Sequence, residues 1–125
     1  MKAQKKVLIL DDEPIVGDRL KPALEKLGFY VEAFTESQAA IQRFTEEAFD
    51  VVVTDLKMQK PDGLEVMDFV RRESPSTKVV IITGFATVDT AVETMKGGAV
   101  DFIAKPFKIR DLCDLIERLV SEKDN

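Results

Sequence analysis

Several reactive residue types are absent or scarce in this chain of 125 residues, which has no histidine, no tryptophan and a single cysteine, Cys113. Without histidine, and with one thiol, neither the usual zinc sites nor a histidine-based nucleophilic triad can form. Any bound metal is therefore expected to be a hard cation held by oxygen atoms. A lone cysteine cannot form an internal disulfide, which is consistent with a reducing compartment, and we expect a cytoplasmic protein.

Long apolar runs and clusters of basic residues are also lacking. No stretch approaches the roughly 20 apolar residues that span a bilayer, and the apolar segment Val7–Leu10 is too short for a secretion signal. The net charge is −5, from 18 basic and 23 acidic residues. This balance offers no basic surface to nucleic acid or to a membrane, so we expect neither as a direct partner.

What the chain does contain is typical of a globular domain. Hydrophobic residues make up 45% of it and charged residues 33%, an ordinary balance for a folded protein. The length fits one domain with one core, and the sequence contains no repeats, low-complexity tracts or linkers. We therefore predict a single domain over residues 1–125.

Strand and helix patterns alternate from one end of the chain to the other. Apolar stripes at helical spacing predict helices at Glu13–Leu27, around Ala39–Phe44, at Leu64–Arg72, from Val88 and from Ile109. Short apolar runs predict strands at Lys6–Leu10, Phe29–Phe34, Asp50–Thr54, Lys78–Ile82 and Asp101–Ala104. Thr35 or Ser37 is expected to cap the second helix, and Pro22 to remove a backbone bond inside the first and kink it.

Five β–α units in succession predict an α/β fold, a doubly wound parallel sheet with helices on both faces. The first, third and fourth strands are the most apolar and should be central, whereas the second and fifth are shorter and more polar and should lie at the edges. The expected strand order is 2-1-3-4-5. Its switch point falls between the first and third strands.

Four of the predicted strands run into polar side chains suited to phosphate or metal: Asp11 and Asp12, then Asp55, Thr83 and Lys105. The carboxyl ends of parallel strands line one crevice, so these side chains should meet there. Three carboxylates in one place repel one another unless a cation neutralises them, and Mg²⁺ prefers carboxylates, water and phosphate oxygens. Asp55 is the candidate nucleophile, whose carboxylate would attack phosphorus to give an acyl phosphate.

Each of these residues also has a structural explanation when it is taken alone. Asp12 stands close to Pro14, where an acidic residue suits a helix start, and Asp55 can open a turn. Thr83 can be a plain strand-end hydroxyl, and a lysine after a strand, like Lys105, is usually solvated. The combination, in this order at strand ends, favours the functional interpretation.

The same residues carry a resemblance to the receiver domains of two-component response regulators. The chain is similar to that family over nearly its whole length, through the acidic pair in LILDDE, the aspartate in VVVTDLKM with Gly63 eight residues later, the threonine in VVIITG and the lysine in DFIAKPF. The segment TVDTAVETMKGGAVDFIAKPF most resembles receivers of nitrogen-regulator-type transcription activators.

The resemblance implies a role for each matched residue. Asp55 would accept a phosphoryl group from a histidine on a partner kinase, and the domain would not be an enzyme in its own right. Asp12 would bind Mg²⁺ directly and Asp11 mainly through water, with Asp55 and the backbone carbonyl of Lys57 as further ligands. Thr83 and Lys105 would bind the phosphoryl group. Phe102 matches the family's aromatic switch position, and a plain core phenylalanine is the competing explanation.

Two positions depart from the family pattern, and two more flank the expected phosphate site. Met58 is followed by Gln59 where the family often has proline, and Phe102 stands where many members have tyrosine. Phe85 and Lys57 are in positions that tune the attack of water on the acyl phosphate. An aromatic ring and an ammonium group there predict slow decay.

The expected consequence of phosphorylation is a change in a partner surface or in the dimer state. The fourth helix, fifth strand and fifth helix carry charges that suit a two-fold homodimer, and a solvated face without a partner is the alternative. The output would be a transcription-activator domain outside this chain. A stand-alone regulator, or a receiver-like interaction module that is never phosphorylated, remain the alternatives.

Two other classes of protein fit less well. A phosphatase with an aspartyl intermediate would normally need a second carboxylate beside the nucleophile, and the sequence Asp55-Leu56-Lys57 does not provide one. A flavin-binding module shares the expected fold but needs a loop that cradles phosphate after the first strand. The acidic residues at that position would repel phosphate unless a metal intervened.

Overall fold

The computed structural model describes residues 4–121. These form the strands β1 (Lys6–Leu10), β2 (Tyr30–Phe34), β3 (Val51–Asp55), β4 (Lys78–Thr83) and β5 (Asp101–Ala104). Between and after them lie the helices α1 (Pro14–Lys26), α2 (Ser37–Glu46), α3 (Gly63–Glu73), α4 (Val88–Lys96) and α5 (Ile109–Ser121). Within this part of the chain, no helix has the length and apolar character needed to cross a membrane.

The five strands form one sheet in the order β2-β1-β3-β4-β5, and each neighbouring pair is parallel. The predicted fold class and strand order are confirmed. The three central strands are buried almost throughout, whereas the edge strands β2 and β5 are only partly buried. The apolar content of each strand therefore decided its place in the sheet.

A hydrophobic core lies on each face of the sheet, because neighbouring residues of a strand point to opposite faces. Val7 and Ile9 belong to the core that packs under α1 and α5, and Leu8 and Leu10 to the core under α2 and α3. The same alternation holds along β3, where Val51 and Val53 face one core and Val52 the other. Burial on both sides explains why these strands read as unbroken apolar runs.

The element boundaries differ from the predicted ones at several points. β3 begins and ends one residue later than predicted and β4 extends by one residue, so that Asp55 and Thr83 are the last residues of their strands. α3 begins at Gly63, because Asp62 forms a capping box with Glu65 that satisfies the first amides of the helix.

The predicted cap of α2 is wrong, and the first helix runs on past its internal proline. Glu36 occupies the cap position of α2, without a side-chain hydrogen bond to the described residues. Ser37 is already the first helical residue, and Thr35 lies one residue too early. α1 continues beyond Pro22 as one helix to Lys26.

α4 is held less firmly than the other helices. In the described fold, Thr94 is its one buried residue, whereas α3 buries Gly63, Val66, Met67 and Val70. The apolar side chains of α4 point outward instead, and Val88 is 80% exposed. Val92 and Met95 continue this exposed stripe along the helix.

Candidate functional site

The carboxyl ends of β1, β3, β4 and β5 bring together the side chains that the sequence singled out. Asp11 follows β1 and Asp55 ends β3, and these strands are direct neighbours in the sheet. Thr83 ends β4 and Lys105 follows β5. The backbone amide of Lys105 donates to the carbonyl of Thr83 over 2.8 Å, which fixes the ends of β4 and β5 against each other.

Three carboxylates form a compact cluster at this edge. Asp11, Asp12 and Asp55 each offer an oxygen atom, and these atoms lie within 4.8 Å of one another. Asp11 and Asp55 are buried, whereas Asp12 is exposed to solvent. The Asp11 amide donates to the carbonyl of Phe34 on β2, which anchors the backbone of the cluster to the edge of the sheet.

Lys105 is the cation that faces this cluster. Its Nζ lies 2.7 Å from Asp11 Oδ2, 3.0 Å from Glu13 Oε1 and 3.5 Å from Asp55 Oδ2. Burial alone would lower the pKa of Lys105, but the contacts with Asp11 and Glu13 outweigh it and hold that pKa above its ordinary value. Lys105 is therefore charged at neutral pH, and it neutralises only part of the cluster.

The remaining excess of negative charge acts on Asp55. Burial, followed by the charge of Asp11, raises the pKa of Asp55 to about 6, although the ammonium of Lys105 opposes this shift. A free aspartate has a pKa near 3.9. Ionised Asp55 is thus less stable here than in water, and a second cation at the cluster would favour its charged, nucleophilic form.

The donor set fits a hard divalent cation. All three clustered groups are carboxylates, the ligands that Mg²⁺ takes in proteins. Asp11 Oδ2 is buried and, although it lies close to Lys105, it accepts no hydrogen bond of good geometry from the described residues. The ammonium of Lys105 compensates the charge of this buried oxygen in part, and a metal cation or a cation-bound water would complete its coordination.

The loop after β4 starts from the hydroxyl group of Thr83. This hydroxyl is fully buried, and its Oγ1 accepts a hydrogen bond from the Phe85 amide over 3.0 Å. Gly84 between them leaves open space, since an added Cβ would meet no atom within 4 Å. An oxygen that accepts this hydrogen bond can still donate its own proton, so the Thr83 hydroxyl keeps the capacity to act as a donor at the end of β4.

Gly63 shapes the loop after β3 at the point of closest approach to Asp55. The Gly63 amide donates to the carbonyl of Leu56, and a Cβ on Gly63 would lie 2.2 Å from the Asp55 carbonyl oxygen. No side chain fits at that distance without moving backbone. This close contact is the physical reason for glycine at position 63, eight residues after Asp55.

The cluster opens into a cavity of about 350 Å³, which Lys57 and Phe85 line together with Asp12, Asp55 and Lys105. Phe85 is 65% exposed, so its ring stands at the rim. Lys57 is likewise exposed. Both residues that the resemblance assigns to tuning thus lie beside the carboxylate of Asp55.

Phe102 lies on the edge strand β5, which β4 separates from the strand that carries Asp55. It pairs in register with Ile81 of β4, two residues before Thr83. Its side chain is partly buried and packs against the core under α2 and α3. In this structure the ring is thus a core contact at the edge of the sheet.

Two features of the site escaped the sequence reasoning. Glu13 contacts Lys105 from the far end of the chain, and the third acidic residue in the run Asp-Asp-Glu was its available signal. A groove of about 450 Å³ also adjoins the site, with Ile15, Pro106 and Phe107 among its lining residues. No sequence pattern joins these apolar residues, because the groove depends on how α1 and α5 pack.

Fold and site together have the layout of a signalling domain that handles phosphate. Residues 7–117 match the family described as the response regulator receiver domain. The chain therefore belongs to the response regulator receiver domain family. Members of this family bind Mg²⁺ at an aspartate cluster, and Asp11, Asp12 and Asp55 form a cluster of that composition.

Similar proteins include full regulators and single domains. The transcriptional regulatory protein QseB of Haemophilus influenzae is 32% identical over 118 residues, which cover 94% of this chain and 53% of that protein. The receiver protein CpdR of Brucella abortus is 33% identical over 116 residues, covering 93% of this chain and 97% of that protein. This chain thus spans about half of one relative and nearly all of the other.

Solved structures show the same fold. A CheY-like receiver domain protein from Methanospirillum hungatei superposes with a TM-score of 0.92 at 28% identity, covering 98% of both chains. The beryllofluoride-activated NtrC4 receiver domain dimer superposes with a TM-score of 0.89 at 34% identity, covering 96% of this chain and 99% of that one. Nitrogen-regulator-type receivers, which the sequence segment resembled, are thus among the similar proteins.

Proposed function

We propose that this domain accepts a phosphoryl group on Asp55 from a phosphohistidine of a partner kinase and thereby changes its interaction surface. The observation that carries the proposal is the position of Asp55. It is a buried carboxylate at the switch point of the sheet, with Asp11 and Asp12 beside it and Lys105 Nζ 3.5 Å from its Oδ2. Receiver domains as a family accept phosphate from histidine kinases.

The carboxylates of Asp11, Asp12 and Asp55, with the backbone carbonyl of Lys57, would hold Mg²⁺. Bound there, the ion would neutralise charge on the transferring phosphoryl oxygens. Side chains of the domain itself would bind the other phosphoryl oxygens. Lys105 would pair with one phosphoryl oxygen and Thr83 would donate its hydroxyl proton to another.

The transfer itself needs no acid or base from this chain. An oxygen of the Asp55 carboxylate attacks phosphorus, the P–N bond breaks, and its electron pair returns to the imidazole nitrogen. The phosphohistidine reacts in its imidazolium form, with a proton on the other ring nitrogen, so that the imidazole leaves as a neutral ring. Deprotonated Asp55 is required, which agrees with a cation-dependent reaction at a site where the pKa of Asp55 is about 6 without one.

The groove beside the site suits the approach of the donor protein. Ile15 is 53% exposed at the start of α1, and Phe107 lies across the groove from it after β5. A helix that carries phosphohistidine would cover this apolar surface while its imidazole reaches Asp55. Ile15→Glu should then lower the rate of transfer from a kinase that phosphorylates the wild type, with phosphorylation by phosphoramidate unchanged. Equal losses with both donors would contradict this docking site.

The face formed by α4, β5 and α5 is the proposed site of the phosphorylation-dependent change, with Phe102 as the residue that links it to Thr83. Val88, Val92 and Met95 on α4 are exposed apolar side chains that a second copy would bury. The activated NtrC4 receiver is described as a dimer, which supports the idea for this similar domain. Light scattering with and without beryllofluoride would measure it, and Val92→Arg should prevent any increase in mass.

The output we propose is transcription control in the cytoplasm, through a domain beyond residues 1–125. Curated relatives of this chain include transcriptional regulators such as QseB and FixJ, which supports this output. CpdR, a receiver protein of nearly the same length as this chain, supports the alternative of a stand-alone regulator.

The decisive experiment is phosphorylation by phosphoramidate or acetyl phosphate, with and without Mg²⁺, followed by intact-protein mass measurement. The wild type should gain one phosphoryl group only with Mg²⁺, and Asp55→Asn should gain none. Asp114→Asn, which removes an exposed carboxylate on α5, is the matched control and should behave as the wild type does. Failure of the wild type to form an adduct with Mg²⁺ would refute the proposed function.

A further inference from the structure

Glu13 makes an ion pair that its position in the fold does not require. It occupies the cap position of α1, yet its side chain forms no capping hydrogen bond with the described residues of that helix. Its Oε1 instead lies 3.0 Å from Lys105 Nζ, across 92 positions of sequence. The Glu13 amide donates to Asp11 Oδ1 over 2.9 Å, which sets the backbone so that the side chain reaches the amine.

The other partners of Lys105 have a second use in the proposed function, and Glu13 does not. Asp11 would help to hold the cation, and Asp55 would carry the phosphoryl group. The Glu13 side chain is 64% exposed and lies at the rim of the cavity, and among the described residues Lys105 is its one hydrogen-bonding or ion-pair partner. The Glu13 carboxylate attracts the ammonium of Lys105, the same group that the phosphoryl group would attract.

We propose that Glu13 is a positioning residue that holds Lys105 in the unphosphorylated arrangement and competes with the phosphoryl group for its ammonium. This inference rests on the proposed function of Asp55. The ammonium has three protons, of which the phosphoryl oxygens need at least one in good geometry. In the resting arrangement Asp11 and Glu13 draw it toward β1, with Asp55 at the longer distance of 3.5 Å.

The size of the effect follows from the exposure of the pair. Ion pairs between solvated side chains contribute little, which corresponds to a factor of about two to five in an equilibrium constant. Glu13→Gln keeps the length and polarity of the side chain and removes its charge. The affinity of the domain for beryllofluoride with Mg²⁺, a stable mimic of the phosphoryl group, should therefore rise about two- to five-fold.

The experiment compares Glu13→Gln with Glu117→Gln, which removes an exposed glutamate on α5, far along the chain from the site. Beryllofluoride affinity is measured by calorimetry or ¹⁹F NMR at fixed pH above 7 and constant Mg²⁺. Glu117→Gln should leave the affinity unchanged, and Glu13→Asp, whose shorter side chain keeps the charge, should fall between Glu13→Gln and the wild type. Unchanged affinity in Glu13→Gln would overturn the inference.

A double-mutant cycle separates competition for Lys105 from a general effect of charge. In a Lys105→Met background, Glu13→Gln should no longer change the affinity, because the shared amine is gone. An equal gain in both backgrounds would show that Glu13 acts only by repelling the anion and would overturn the positioning role. If the wild type itself binds no beryllofluoride, the proposed function of Asp55 fails instead, which keeps the two failures distinguishable.

Discussion

Removing the charge of Asp55 should stabilise the domain in the absence of Mg²⁺. In the folded state burial and the charge of Asp11 raise the pKa of Asp55 from 3.8 to about 6. The folded domain therefore binds more protons than the unfolded chain between these values, and its stability falls as the pH rises through this window. A shift of about two pKa units corresponds to about 3 kcal/mol, which is the upper limit of the penalty above pH 6.

Asp55→Asn keeps the shape of the side chain and removes this penalty. We expect the variant to gain ~2 kcal/mol at pH 7.5 in EDTA, or roughly 5–10 °C in Tm for a domain of this size. The gain should shrink as the pH falls from 6 and vanish below about pH 3, where Asp55 is protonated in both the folded and the unfolded wild type. Thermal and urea unfolding across this pH range would measure it.

The control for this prediction is Asp114→Asn on the exposed face of α5, which changes the net charge equally. It should alter stability by no more than about 0.5 kcal/mol at any pH. A variant Asp55→Asn that is no more stable than the wild type at pH 7.5, or whose gain persists unchanged at pH 4, would refute the electrostatic reasoning about the cluster.

Three further outcomes test other parts of the site. Mg²⁺ should stabilise the wild type by about 2.7 kcal/mol at 100 times its dissociation constant, and Asp12→Asn should lose most of this gain in a thermal melt. Gly63→Ala should lower the free energy of unfolding by more than ~2 kcal/mol, because its Cβ would collide with backbone, whereas Gly84→Ala should change it little. Phe85→Ala should shorten the half-life of the phosphorylated domain by admitting water, and an unchanged half-life would contradict that steric role.

The sequence was sufficient to predict the fold, because the apolar content of each strand indicates its place in the sheet and the order of strands and helices indicates how they connect. The unbroken runs at Val51–Val53 and Val79–Ile82 could only be central strands, and the more polar β2 and β5 fell to the edges. Boundaries were less accurate, since hydrogen bonds decide them. α3 begins at Gly63, one residue earlier than predicted, because Asp62 and Glu65 form a capping box. The cap position of α2 is occupied by Glu36 and not by Thr35 or Ser37.

For the site, strand-end positions predicted that five residues would meet. The side chains of Asp11, Asp12, Asp55 and Lys105 do so, and Thr83 joins them through the backbone hydrogen bond from Lys105. Their functional roles remain predictions. The acidic run Asp-Asp-Glu placed Glu13 near the site, but its contact with Lys105 could not be specified from the sequence, because it depends on the direction of one side chain across the crevice. Whether the ring of Phe102 packs inward was also not predictable, because it depends on the direction of that side chain on the edge strand β5.

The shallow burial of α4 has a consequence for how the domain opens. Thr94 is the one residue that α4 buries in the described fold, so α4 loses little apolar contact when it detaches. The free energy of its local opening should therefore be the lowest among the helices. We expect its amides to exchange with deuterium earlier than those of α3, which mass spectrometry of pulse-labelled protein would measure. Under the proposed function, phosphorylation of Asp55 would then act on a helix whose detachment costs little free energy, so a small change in interaction energy would shift its position.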